Sequence, residues 1–278
     1  MDFTIQKFPL DKIIESFLDL LTDNFAFLTR ATSSITEIVI DAIVAGLMFF
    51  PPWLLILILT VLSWRFADRK IALMTFFGLA LLWNLRLWVP TVETVTLVLI
   101  ATLVAVALGL PLGILAALFP RFKRIILPIL DFMQTMPAFV YLIPAIPFFG
   151  LGPVSAIFAT VIFSMPPAIR LTILGIIQVP AELVEAADAF GATKKQKLLK
   201  IQIPLAIPTI MAGINQTIML ALSMVVIAAM IGAGGLGGEV WKAIQRLKPG
   251  MGFEAGIAIV ILAMLLDRIT QKIGQKYK

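Results

Sequence analysis

The chain has 278 residues, of which 60% are hydrophobic and 14% charged, and its mean hydropathy is +1.04. A soluble globular domain carries about 25% charged residues, so the composition is that of a protein embedded in a bilayer and not of one with a large aqueous-facing core. The net charge of +6 reports loop orientation rather than nucleic-acid binding, and the lack of Cys and His removes disulfides, thiolate nucleophiles, the usual zinc sites and the commonest general base, so neither a catalytic nor a metal site is expected.

Residues 1–50 are the most polar part. "MDFTIQKFPLDKIIESF" lacks a basic segment ahead of an apolar core, so no cleavable signal peptide is expected. "LDKIIESFLDLLTDNFAFL" sets apolar residues at helical spacing with Asp11, Glu15, Asp19 and Asp23 on one side. Such a helix lies on a membrane surface or packs on the protein's own flank. Residues 34–50 are amphipathic as well, with Glu37 and Asp41 one turn apart, and are not counted as a span. Seven apolar spans are expected after that, at 51–64, 71–88, 95–119, 125–150, 153–177, within 201–238 and at 253–266. The tract 201–238 carries no charge and exceeds the roughly 20 residues a span needs. It therefore holds one span plus the non-helical end "IGAGGLGG" (231–238), a gate or a simple turn at the outer face. This divides the chain into an amphipathic region 1–50 at the outer surface, two scaffold helices over 51–90 and a five-helix core over 91–278.

Between two of these spans lies "VPAELVEAADAFGATKKQKLLKIQIP" (179–204). Glu182 and Glu185 follow Pro180 at a helix start, Gly191 can take the left-handed conformation that ends it, and a basic helix over 193–201 leads to Pro204 and back into the membrane. With this segment on the cytoplasmic side, alternation puts "RFADRK", "RFKR" and the basic tail "DRITQKIGQKYK" there too. Residues 1–50, with seven acids and three bases, fall outside, as the positive-inside tendency requires. "EVWKAIQRLKPG" (239–250) goes against it, lying outside with Lys242, Arg246 and Lys248. On composition alone the 178–204 segment is a docking surface or an ordinary solvated loop.

The spacing of Glu185-Ala186-Ala187, Gly191, Ile201 and Ile203-Pro204 resembles the EAA loop of ABC-importer permeases, with Ile203 in place of the usual Leu. "PILDFMQTMPAFVYLIPAIPFFGLG", "FSMPPAIRLTILGI", "GINQTIMLALSMVVIAAMIGAGGLG" and "GIAIVILAMLLDRITQ" are similar to the permease subunit of the glycine betaine/proline family of osmoprotectant importers. The resemblance implies an all-α, polytopic type I permease fold in a prokaryotic cytoplasmic membrane. It also implies that Glu185, Ala186, Ala187, Gly191, Ile201 and Pro204 couple the chain to a cytoplasmic ATPase. The partners it implies are two ATP-binding subunits, which hold the ATP and Mg, a separate extracytoplasmic substrate-binding protein, a second copy of this chain, and the membrane lipid around its spans. The chain itself has no cofactor and no phosphate-binding G-x-x-x-x-G-K-[ST] loop.

Candidate residues for a translocation path are Gln134, Thr135, Met136 and Pro137, where Pro137 and Pro144 must kink the helix and free backbone carbonyls. Asn215, Gln216, Thr217 and Ser223, with Met219 and Met224, form a second group. Neutral polar groups and thioethers suit the brief passage of a zwitterion, and the same residues equally serve as hydrogen-bonding glue between spans. Five Trp and two Tyr are little material for a deep aromatic cage, which is assigned to the binding protein. Asp131 and Arg170 lie within consecutive spans at similar depth near the cytoplasmic side. They form an ion pair bracing the inner mouth, or else Arg170 reaches the headgroups and Asp131 meets water. The substrate expected is glycine betaine or a similar compatible solute, with choline, carnitine, proline or methionine as the near alternatives. A self-sufficient secondary transporter or osmotic channel is the alternative of another class, and it leaves the 178–204 segment unexplained.

Overall fold

The computed structural model describes residues 9–275, and its regular structure is helical throughout. Helix α1 (Leu10–Phe49) runs 40 residues without a break. The sequence pattern predicts two amphipathic segments here and no span. The structure has one rod, because no proline lies between Pro9 and Pro51 and Gly46 is the lone glycine. Its second half, Ala26–Phe49, is long and apolar enough to cross a membrane, at about 36 Å against a hydrocarbon core of roughly 30 Å. Among its described side chains only Ile40 is buried, against Ala101, Ala105, Ile157 and Val161. Residues 1–8 of the predicted amphipathic region and 276–278 of the basic tail lie outside the described residues.

Pro51 and Pro52 start α2 (Pro52–Phe66), which pairs with α3 (Arg69–Asn84). The turn between them is fixed by Asp68. Its carboxylate accepts the Ile71 N–H at 2.9 Å and lies 3.4 Å from Lys272 Nζ, and both contacts hold it below the usual carboxylate range, the cap foremost. At 15 and 16 residues these helices reach only about 22–24 Å. They fall short of a full crossing, unlike the predicted spans at 51–64 and 71–88. Arg86 in the left-handed region breaks the second of them early, so Trp88 opens α4 (Trp88–Leu118) instead of closing its predecessor.

Next come α5 (Pro120–Thr135), a short 3-10 turn (Ala138–Tyr141) and α6 (Leu142–Phe149), then α7 (Pro153–Ile177). The chain bends by 111° between Pro120–Thr135 and Ala138–Phe149, so the predicted span at 125–150 is a broken one. Two short helices, α8 (Ala181–Ala189) and α9 (Lys194–Lys197), precede α10 (Ile203–Ala229), and α11 (Gly235–Gln245) and α12 (Pro249–Gln275) complete the order. Among the described residues five helices are long and apolar enough to cross a membrane, and six if the bent pair is one span. This is a polytopic all-helical architecture in which, among the described residues, α2 and α3 are shorter than a full crossing.

The centre is α7, packed between α4 and α10. Small residues let the backbones meet, as membrane helices require when lipid is as apolar as the core. A Cβ added at Gly113 on α4 would sit 2.6 Å from Thr172 Cβ and 2.9 Å from the Ile169 carbonyl. The buried hydroxyls of Ser164, Thr172 and Thr217 donate to carbonyls one turn back, which leaves them satisfied without water.

Candidate functional site

The 178–204 segment is built from local rules. Pro180 precedes α8, and Glu182 lies in its first turn. Ala187 packs inward while Glu185 and Ala186 stay exposed, as does Phe190 at 93%. Gly191 ends the helix at φ 74°, with the Ala192 N–H on the Ala187 carbonyl at 2.9 Å and its own N–H on the Asp188 carbonyl at 2.9 Å. This is the glycine-terminated cap in which a side chain would be strained. Thr193 then starts α9 with a reciprocal cap: its Oγ1 accepts the Gln196 N–H at 3.3 Å, and Gln196 Oε1 accepts the Thr193 N–H at 2.8 Å. Lys197 Nζ, 2.6 Å from Asp188 Oδ1, ties the two short helices together.

Pro204 does not interrupt the chain as its residue type suggests. Leu198–Gln202 forms a widened π turn in which the Ile203 N–H reaches back to the Leu198 carbonyl. The wider turn moves the Lys200 carbonyl away from the proline ring that would otherwise strike it. Helix therefore continues over Lys194–Ala229, 36 residues in all, with Ile201 half-buried and Pro204 exposed along it.

Asp131 on α5 and Arg170 on α7 meet at 2.5 Å between carboxylate Oδ1 and guanidinium Nη2, and Arg170 Nε is buried without a partner. Of the predicted path residues, Gln134, Thr135 and Pro137 are exposed where α5 ends, and Met136 packs on the cluster around Tyr141. Tyr141 donates its hydroxyl to the Met133 carbonyl across the bend. Gln216 and Ser223 are exposed on α10, one stripe with Ala212 and Met230. Asn215 is half-buried and faces α12, while Thr217 is fully buried. Met224 does not face a path within this chain. It is fully buried against Tyr141, Leu142, Ala145, Ala156 and Ala159, filling a gap where the bend meets α7 and α10.

Two polar contacts escape sequence reasoning. The glycine tract 231–238 is tied to α4, with the Gly235 N–H on Glu93 Oε2 at 2.9 Å and the Leu236 N–H on Thr94 Oγ1 at 2.8 Å. Glu93 thus supplies the anion that the N-terminus of α11 lacks in its own sequence. On the other side, Asp267 of α12 accepts hydrogen bonds from Asn215 and Gln271, both at 2.7 Å. An acid four residues before a glutamine is the signal that was available, but at the end of an apolar run it reads as a closing polar boundary.

Residues 109–278, the core carrying both the broken span and the capped two-helix loop, match the family described as the binding-protein-dependent transport system inner membrane component. The chain belongs to this family. It is accordingly a multi-pass protein of the cytoplasmic membrane. The chain is 52% identical over 274 residues to the glycine betaine transport system permease protein OpuAB of Bacillus subtilis (strain 168), covering 99% of this chain and 97% of that protein. It is 51% identical over 279 residues to the glycine betaine/carnitine transport permease protein GbuB of Listeria monocytogenes serotype 1/2a (strain 10403S), covering 99% and 98% respectively. Among solved structures, the MetNI methionine ABC transporter in an inward-facing form is similar in fold, with a TM-score of 0.64 at 22% identity over 69% of this chain and 96% of that one. The inner membrane component thus has the permease fold of ABC importers, and the relatives it resembles along nearly their full length are permease subunits of transport systems.

Proposed function

We propose that this permease carries glycine betaine, or a closely related compatible solute, into the cell at the expense of ATP hydrolysed by a partner. The observation that carries the coupling half of this reading is the α8–Gly191–α9 unit. It is a polar, exposed, capped pair of short helices, and its second member is continuous with a membrane-crossing helix. A solvated loop has no need of a left-handed glycine cap, a capping box and an ion pair within twenty residues. In this reading two copies of the chain form the pore and two ATP-binding subunits with ATP and Mg dock on Glu185, Ala186, Ala187 and Gly191. A separate binding protein delivers the solute from outside, and lipid surrounds the whole. The substrate half rests on the two relatives that share about half of this sequence, both named for glycine betaine. Carnitine is a second substrate of the same machine, on the printed name of the Listeria relative.

The test is reconstitution of the chain with its ATPase in vesicles carrying the binding protein. Uptake of labelled glycine betaine should need all three components and ATP. Accumulation by this chain alone would replace the reading with a secondary transporter.

A further inference from the structure

Facing stripes of α10 and α12 enclose a groove of about 330 Å³. Pro208, Met211, Ala212, Asn215 and Gln216 come from α10 at helical spacing, and Thr270, Gln271 and Gly274 come from α12. Volume in this range suits a small organic ligand. The groove opens on the stripe that carries Gln216 and Ser223.

The chemistry of its wall is decided by a residue behind it. Asp267 Oδ1 accepts one N–H from Asn215 and one from Gln271, both at 2.7 Å. Each primary amide has a donor end and an acceptor end. Turning either amide over would set a carbonyl oxygen against the carboxylate, so the donor ends are fixed on Asp267. The acceptor ends are left over. Asn215 Oδ1 is buried and has no hydrogen-bond partner, which is costly for a polar atom at this depth. Among the described residues no lysine or arginine lies within ion-pair distance of Asp267. A carboxylate within a span ordinarily has such a partner or serves a transported cation. The groove therefore combines a negative charge, amide oxygens and the apolar surfaces of Pro208, Met211 and Ala212.

We infer that this groove is a transient site for the quaternary ammonium head of the transported solute, with Asp267 as the source of its charge preference. The three apolar side chains meet the methyl groups. The negative potential of the carboxylate and of the buried Asn215 oxygen behind the wall favours the positive charge that those methyls share. A metal ion would require several oxygens converging at short range, whereas a bulky, weakly hydrated cation needs only a negative potential and a greasy wall. The inference rests on the substrate reading above and adds a place for that substrate within this chain.

The experiment measures equilibrium binding of labelled glycine betaine to the permease–ATPase complex in nanodiscs, with the binding protein left out. The competitor is the tert-butyl carboxylate in which carbon replaces nitrogen, equal in shape and lacking the positive head. The wild-type complex should bind glycine betaine and discriminate against the neutral-headed analogue by about tenfold or more, the scale expected for one charge about 10 Å away at an effective dielectric near 20. Asp267→Asn should abolish that discrimination, and Asp267→Glu should restore part of it, with each complex intact on size-exclusion chromatography. Equal binding of the two ligands by wild type, or unaltered discrimination in Asp267→Asn, overturns the inference. Failure of the wild-type importer to take up glycine betaine with its binding protein present would instead sink the substrate reading, so the two failures are told apart.

Discussion

Helices α1 and α7 both contain a stretch long enough to cross a membrane, and they are stabilised in opposite ways. In Ala26–Phe49 only 6% of the most apolar stretch is buried within the protein, against 61% in Pro153–Ile177. The first helix turns most of its Phe and Ile side chains outward and touches the rest of the chain mainly through Ile40, Val44 and Leu47. The second has much the same mix of Ile, Ala, Ser and Thr, but it is clasped by α4 and α10 and buries Ala159, Ser164, Ala168 and Thr172. The difference lies in placement and not in composition: where small side chains share one face, neighbouring helices can close on it. Removing a large side chain from α1 exchanges protein contact for lipid contact at little cost. Adding a methyl to the clasp around α7 has nowhere to go.

The largest expected effect tests that contrast directly. Gly113→Leu should cost about 3 kcal/mol or more through overpacking against Thr172 and the Ile169 carbonyl. Little folded protein should be recovered on size-exclusion chromatography. Gly46→Leu on α1, where an added Cβ meets nothing within 4 Å, should leave yield and Tm near wild type. If both substitutions behave alike, the contrast is wrong.

Next in size is Gly191→Val. A β-branched residue at φ 74° carries about 1–3 kcal/mol of strain, released by unwinding the C-terminal end of α8. Uptake in reconstituted vesicles should fall at least tenfold while Tm moves little, since this glycine has open space around it. Normal coupled uptake would remove the docking role from the α8–α9 unit.

A smaller effect is expected at Asp131 and Arg170. Their contact is partly exposed, with side chains 67% and 31% accessible, so it contributes about 1 kcal/mol or less. Asp131→Arg and Arg170→Asp should each lower uptake severalfold, because each leaves two like charges facing one another, and the double exchange should regain part of it. A double variant no better than the worse single would deny the pair its bracing role.

The smallest effect concerns Asp68. Its carboxyl is held below the ordinary value, so its contribution to stability is present above that value and is lost as pH falls through the lowered one. Asp68→Asn keeps an oxygen for the Ile71 N–H and loses the attraction to Lys272. It should lower Tm slightly at neutral pH and leave the acid end unchanged, which flattens the acid limb of a Tm-against-pH curve.

The capped α8–α9 pair was legible as a structure because it follows from residues close together: Pro180, Gly191, Thr193 and Gln196 act on their own neighbours. The unbroken course of α1 and the uninterrupted passage through Pro204 were not. A proline predicts a break unless the preceding turn can widen, and nothing in "KLLKIQIP" announces that it will. The burial of Met224 was not legible either, because it depends on the bend at 136–138 packing over that face of α10. The contacts of Glu93 with Gly235 and of Asn215 with Asp267 join residues 142 and 52 positions apart, and no local pattern reaches that far.

The helix over Lys194–Ala229 has a mechanical consequence. At 36 residues it is a beam of about 54 Å, longer than the bilayer is thick. One end carries the basic helix α9 and the other meets the glycine tract moored to Glu93. A tilt of roughly 5° about its α9 end would swing the far end by roughly 5 Å, enough to load or slacken that mooring. No relay of side chains is needed to carry news between the two faces of the membrane, because a single stiff member already touches both.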